Sequence, residues 1–234
     1  MTTDGQVKQV AFVLYPEFTL LDVAGPLQVF KSLRMFTPQF EPVVVAERRE
    51  AMETDTPLSV VAGRTFEDVP EPSIVIVPGG RAATIRAMGN EAIREYLLSV
   101  AETADVVGSV CTGALILGAA GFLEGRQATT HWAFYSLLEK LGATYLRQRW
   151  VEDGRFITAA GVSAGIDLGL HLVARFTNED TARKVQLVIE YDPEPPLGRI
   201  DWSKVDRDVL APMLKQWVTT ELANRPDLQA RLEM

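Results

Sequence analysis

Residues 105–121 read DVVGSVCTGALILGAAG, with Cys111 at the seventh position. A short Val-rich run passes, across a few small residues, into an Ala/Leu/Ile stretch of helical character, the pattern of a buried strand feeding a helix. Gly108 and Gly113 bracket the cysteine as G-x-x-C-x-G. This is the logic of a nucleophile elbow, a tight strand-to-helix turn whose small neighbours leave one side chain free to meet a substrate. The turn is expected to aim the sulfur outward, towards the free N–H groups of the following helix, where thiolate is favoured over thiol. A lone cysteine is more often a small buried hydrophobe; the turn around Cys111 shifts the reading towards a reactive thiol.

The chain around this joint alternates strands and helices. VKQVAFVLY (7–15) is a near-continuous apolar strand, as expected for a parallel sheet covered on both faces. Residues 18–33 have apolar residues at helical spacing, with Gly25-Pro26 suiting a helix start or a kink in the first turn and Asp22 near the N-terminus as cap or acid. FEPVVVA (40–46) is a second strand, and 57–66 a small hairpin or extension around Gly63. SIVIV (73–77) is a third core strand running into Pro78-Gly79-Gly80, where two glycines let backbone N–H groups approach a ligand or form an ordinary tight turn.

A helix over 91–102, a short strand over 127–130 and a helix over 132–141 follow, with His131 at the joint as a site residue or a cap, the cap being the favoured reading. Residues 145–158 form two strands about Glu152-Asp153-Gly154, and residues 164–176 a helix carrying Asp167 and His171 four apart, a surface pair rather than a metal site. A helix capped at Asn178 closes at YDPEPP (191–196). Val205, Val209, Met213 and Trp217 recur every fourth residue, which predicts an amphipathic helix packed on the body or on a second subunit. The order of elements predicts an α/β fold, a doubly wound parallel sheet with helices on both faces, over residues 1–196, and a helical extension over 197–234.

Composition narrows the function classes. With 234 residues, 47% hydrophobic, the chain can build one substantial core without metal or disulfide staples. A single cysteine permits no intrachain disulfide, MTTDGQVK carries no apolar signal core, and no apolar run approaches the ~20 residues of a membrane span, so a cytoplasmic protein is expected. A net charge of −8 disfavours nucleic acid.

Taken together, LLDVAGPLQVF (20–30), IVIVPGG (74–80), GSVCTGALILGAAGFLEGR (108–126), ATTHW (128–132) and AAGVSAGIDLGLHLV (159–173) resemble the PfpI/ThiJ superfamily of cysteine proteins. These have a flavodoxin-like fold, related to class I glutamine amidotransferases. VQLVIEYDPEPP (185–196) is most similar to the isocyanide hydratase branch, which converts an isocyanide and water to an N-substituted formamide. The resemblance implies Cys111 as nucleophile, Asp22 as its acid/base partner and Thr112 as the third catalytic residue. Gly79, Gly80, His131, Trp132 and Val162 would border a compact apolar pocket. Cys111 would attack the isocyanide carbon while Asp22 relays a proton to nitrogen, and water would open the thioimidate.

No metal or cofactor is implied; a small-molecule substrate and a homodimer are. Asp22 and Thr112 stand where protease-like and glyoxalase-like relatives carry Glu and His, and Ala160 where isocyanide hydratases tend to carry Gly. The competing expectations are a thiol-based sensor, as in regulators sharing these motifs, or a glyoxalase- or deglycase-type enzyme.

Overall fold

The computed structural model describes residues 7–232; of the N-terminal MTTDGQVK considered above, residues 1–6 lie outside the described residues. In chain order the elements are β1 (Lys8–Val13), α1 (Leu20–Leu33), β2 (Phe40–Ala46), β3 (Ala51–Glu53), β4 (Ser59–Val61), β5 (Arg64–Thr65) and β6 (Ile74–Val77). They continue with α2 (Ala82–Met88), α3 (Glu91–Thr103), β7 (Val106–Ser109), α4 (Gly113–Ala119), β8 (Gln127–Ala128), α5 (Tyr135–Lys140) and β9 (Thr144–Tyr145). The last are β10 (Trp150–Asp153), β11 (Phe156–Ala159), α6 (Ala164–Phe176), α7 (Glu179–Val188), α8 (Ala211–Glu221) and α9 (Pro226–Leu232).

The main sheet has seven strands in the order β10-β11-β7-β6-β1-β2-β5. Val10–Phe12, Ile74–Val77 and Val106–Val107 are fully buried, which is why these strands read as apolar runs. Pairing is parallel throughout except at one edge, where β10 folds back on β11 about Gly154. The helices pack in two groups, α1 with α6 and α7, and α2 with α4 and α8, the two layers of a flavodoxin-like doubly wound fold. The chain runs from β1 out to β2 and then returns to lay β6 on the other side of β1. The sheet therefore reverses between β1 and β6, and open α/β sheets bind ligands at the carboxyl ends of the strands beside such a reversal.

Several local expectations are corrected. The hairpin is β3 with β4, antiparallel, while β5 joins β2 in parallel at the sheet edge, so Gly63 is not its turn. β8 is only two residues long and pairs with β9 in a separate small sheet. The helix over 132–141 begins as a 3₁₀ turn, Trp132–Phe134. Pro26 is interior to α1, which starts at Leu20; its missing N–H would have met the carbonyl of Asp22. Asp167 and His171 do not pair with each other: Asp167 accepts from Arg149 at 2.6 Å and Tyr191 at 3.0 Å, and His171 lies 3.0 Å from Glu152. Among the described residues no group of three or more His, Cys, Asp or Glu could hold a metal ion, and no helix is long and apolar enough to cross a membrane.

Beyond Pro196 the helix starts only at Ala211, and Val209 and Met213 are exposed; α8 instead buries Leu214 and Val218. The fourfold spacing missed this face because residues 205–210 are not helical. α8 packs on α2, and Arg86 of α2 bonds Glu221 of α8 at 2.7 Å.

Candidate active site

Three sheet-end loops meet at the reversal point, following β1, β6 and β7. Cys111, directly after β7, has φ of 57°, a left-handed conformation that residues with a Cβ avoid. Its backbone is held on both sides: the N–H donates to the carbonyls of Ala159 (3.1 Å) and Ala160 (2.9 Å), and its carbonyl accepts from Thr130 Oγ1 at 2.9 Å. The turn closes because Gly113 has no side chain; a Cβ there would run into the Val77 carbonyl oxygen. This geometry is that of a nucleophile elbow, in which surrounding bonds hold a strained residue in place.

The sulfur does not point to solvent. Cys111 is 3% exposed and Asp22 is fully buried, which corrects the expectation of an outward, low-pKa thiol. The N–H groups of Val162 and Thr112 and the Thr112 hydroxyl all favour thiolate, as a helix start should. Burial first, and the neighbouring Asp22 charge second, outweigh them and push the thiol well above its usual value. Burial also raises Asp22 to about 7, against the N–H of Gly79, with the charge of Asp55 adding to the rise and the Cys111 side chain opposing it. Two anions this close in a buried site are disfavoured, so thiol and carboxyl titrate as a pair that shares a proton.

Asp22 is not the cap of α1: Thr19 occupies that position, and the Asp22 carboxylate reaches across to β6, its Oδ2 accepting the Gly79 N–H at 2.7 Å. Its Oδ1 is buried without a hydrogen-bond partner. Gly79 has to be glycine, since a Cβ would stand 2.5 Å from Thr112 Oγ1 and 2.9 Å from Asp22 Oδ2. Gly80 donates its N–H to Thr112 Oγ1 at 3.0 Å. Both glycine N–H groups are therefore engaged by side chains of the site itself, where the sequence left approach to a ligand and an ordinary tight turn both open.

Sequence reasoning missed the support behind this turn. Tyr15, at the end of β1, donates to the Pro78 carbonyl at 2.8 Å and lies 3.0 Å from Thr84 Oγ1, which is 2.8 Å from Thr112 Oγ1. Tyr15 stands at a strand end, the position that could have flagged it; Thr84, inside α2, offered no such signal.

His131 and Trp132 sit at the edge rather than at the centre. His131 Nδ1 caps the 3₁₀ turn by accepting the Ala133 N–H at 3.4 Å, and burial lowers its pKa. It touches the site through Gly161, whose added Cβ would lie 2.9 Å from the His131 ring. Trp132 lies against His131 and, at 6.5 Å between ring centroids, against Trp202 of the extension. A strained buried thiol, a carboxyl able to hold or release a proton near neutral pH and an unpartnered carboxyl oxygen can together support covalent attack coupled to proton transfer.

Residues 8–175 match the model of the DJ-1/PfpI family. The isonitrile hydratase of Pseudomonas putida is 42% identical over 188 residues, 80% of each chain. A ThiJ/PfpI family protein from Pseudomonas syringae, of known crystal structure, superposes with a TM-score of 0.81 at 32% identity, covering 97% of this chain and 90% of that one. The HTH-type transcriptional regulator CdhR of Pseudomonas aeruginosa is 27% identical over 194 residues, 81% of this chain and 55% of the regulator.

Proposed function

This chain belongs to the DJ-1/PfpI family, and from that premise we propose that it is an isocyanide hydratase in which Cys111 is the nucleophile, Asp22 the acid and base, and Thr112 the group that holds the turn. The observation that carries the reading is the Asp22 carboxyl, buried beside the elbow cysteine, raised to about 7 and with Oδ1 unpartnered. The relative that is 42% identical over 188 residues and is itself an isonitrile hydratase supports the same reaction.

Counting electrons amends the order of proton transfers. When sulfur adds to the terminal carbon of R–N≡C, the electron pair remains on that carbon, so the first proton, held by the Cys111–Asp22 pair, goes to carbon and gives the thioimidate R–N=CH–S–Cys111. Asp22 is then a carboxylate. Water adds to the same carbon, Asp22 takes a water proton, and nitrogen receives it. The remaining hydroxyl proton returns to Asp22 as the C–O double bond forms and the C–S bond breaks, releasing R–NH–CHO and restoring one proton to the pair. The Val162 N–H, directed at the sulfur, stabilises charge there as it attacks and as it leaves.

The test is to offer the purified protein an aryl or alkyl isocyanide and, separately, methylglyoxal, and to follow formamide and lactate. Formamide is expected, lost in Cys111→Ala and reduced at least ~10²-fold in Asp22→Asn, the scale of general acid–base catalysis. Lactate alone would move the assignment to a glyoxalase. Neither product would favour the second reading, a thiol sensor, which the likeness to the regulator CdhR supports.

A further inference from the structure

Among the described residues, four that are not glycine hold positive φ: Glu17 (65°), Arg81 (52°), Cys111 (57°) and Glu190 (50°). Strained backbone of this kind collects at catalytic turns and ligand clamps. Cys111 is the elbow. Glu17 and Arg81 both line a cleft of about 290 Å³, together with Thr54, Asp55, Gly80 and Trp217.

The cleft shares a wall with the turn around Cys111. Gly80, one of its walls, donates its N–H to Thr112. The Asp55 carboxylate raises the pKa of Asp22, and the Arg81 charge lowers that of His131. Each of three cleft residues thus acts on a different residue of the site. The fourth wall comes from the C-terminal extension: Trp217 of α8 stacks on Phe134 at 6.2 Å and 18°, and Phe134 in turn meets His131 edge-on at 5.6 Å. Trp217 both packs on Phe134 and lines the cleft.

We propose that this cleft is the subsite for the substituent on the isocyanide, that it takes a single planar ring, and that it accepts neutral or cationic rings while disfavouring anionic ones. The proposal rests on the hydratase reading. The size is that of the smallest ligand pockets, and the indole supplies a flat apolar wall for stacking. Its lining charges are two carboxylates against one guanidinium. Arg86, which bonds Glu17 at 2.9 Å, is shared with Glu221. Arg81 reaches Asp55 only at 3.6 Å. The chain's net charge of −8 acts in the same sense.

Two measurements test it. The first needs no turnover: alkylation of Cys111 by iodoacetamide is timed with increasing N-phenylformamide, the product of phenyl isocyanide hydration. The formamide is expected to protect the thiol, with protection weakened roughly tenfold in Trp217→Ala, the scale of one aromatic contact, and largely retained in Trp217→Phe. The second compares KM for phenyl isocyanides carrying para hydrogen, trimethylammonium or carboxylate. The carboxylate is expected to have the highest KM by about tenfold, with the gap narrowing in Asp55→Asn. Absence of protection, equal protection in the folded Trp217→Ala protein, or a preference for the carboxylate overturns the subsite. Protection without any formamide produced keeps the subsite and removes the hydratase reading; formamide production indifferent to Trp217 and Asp55 does the reverse.

Discussion

Replacing Asp22 by Asn should make the protein more stable and less active at once, and the gain should depend on pH. The carboxyl is fully buried and titrates near 7 in the folded chain against 3.8 for an ordinary aspartate. Between those values the folded state keeps a proton that the unfolded chain has released, so this group's contribution to stability falls as pH rises from about 4 to about 7 and is level beyond. About three pKa units correspond to a penalty of roughly 4 kcal/mol at pH 8, and about one unit, or ~1.5 kcal/mol, to the penalty at pH 5. Asparagine never ionises and keeps an oxygen for the Gly79 N–H. Its new NH₂ in place of the unpartnered Oδ1 costs roughly 1–2 kcal/mol, equally at both values. That constant drops out when the variant and the parent are compared at pH 8 and again at pH 5, leaving a difference of about 2–3 kcal/mol. Cys111, whose shift lies on the alkaline side, is silent in this window. Urea unfolding of both proteins at the two pH values measures it. A mutational effect equal at pH 5 and pH 8 to within about 0.5 kcal/mol would refute the reasoning, because Asp22 would then ionise in the fold as it does in the unfolded chain.

The same network yields further expectations. Gly79→Ala, whose methyl would lie 2.5 Å from Thr112 Oγ1, should cost about 1–3 kcal/mol as overpacking and abolish turnover; an active variant of normal melting temperature would show that the turn can yield. Thr112→Val preserves shape but leaves the Gly80 N–H without its acceptor and the Thr84 hydroxyl with Tyr15 alone, so it should lower stability by about 1–3 kcal/mol in denaturant titrations; an unchanged midpoint counts against the network. Alkylation of Cys111 should accelerate as pH rises through about 7, where Asp22 becomes able to accept the thiol proton. The same measurement on Asp22→Asn should show that acceleration displaced to alkaline pH; a parent protein that reacts only at alkaline pH would separate the two groups.

Much of this site could be read before any coordinates. Cys111 was legible because an elbow is local: a strand, a turn bracketed by small residues and a helix lie within seventeen positions. Val162 and Asp22 came through the likeness of whole segments, since nothing in their own neighbourhoods names a partner across 51 or more positions of chain. Tyr15 and Thr84 were missed because each looks like an ordinary strand-end or helix residue until folding sets them against Pro78 and Thr112. The tail does form a helix packed on the body, but its start and buried face were misread for a related reason: a fourfold spacing marks a helix face only if the backbone is helical throughout, and residues 205–210 are not.

What the sequence by itself determined is therefore what depends on neighbours along the chain: the alternation of strands and helices, the apolar runs of the central sheet, and the cysteine at the turn. The tertiary structure decided the ionisation of the site. A cysteine before a helix should be acidic by every local rule, yet packing removes it from water and brings Asp22 against it, and the desolvation of two ionisable groups at one point outweighs the few N–H groups that the turn supplies. Burial is the sum over all elements that close around an atom, including α1 and the loop before α6, and no window of sequence contains that sum.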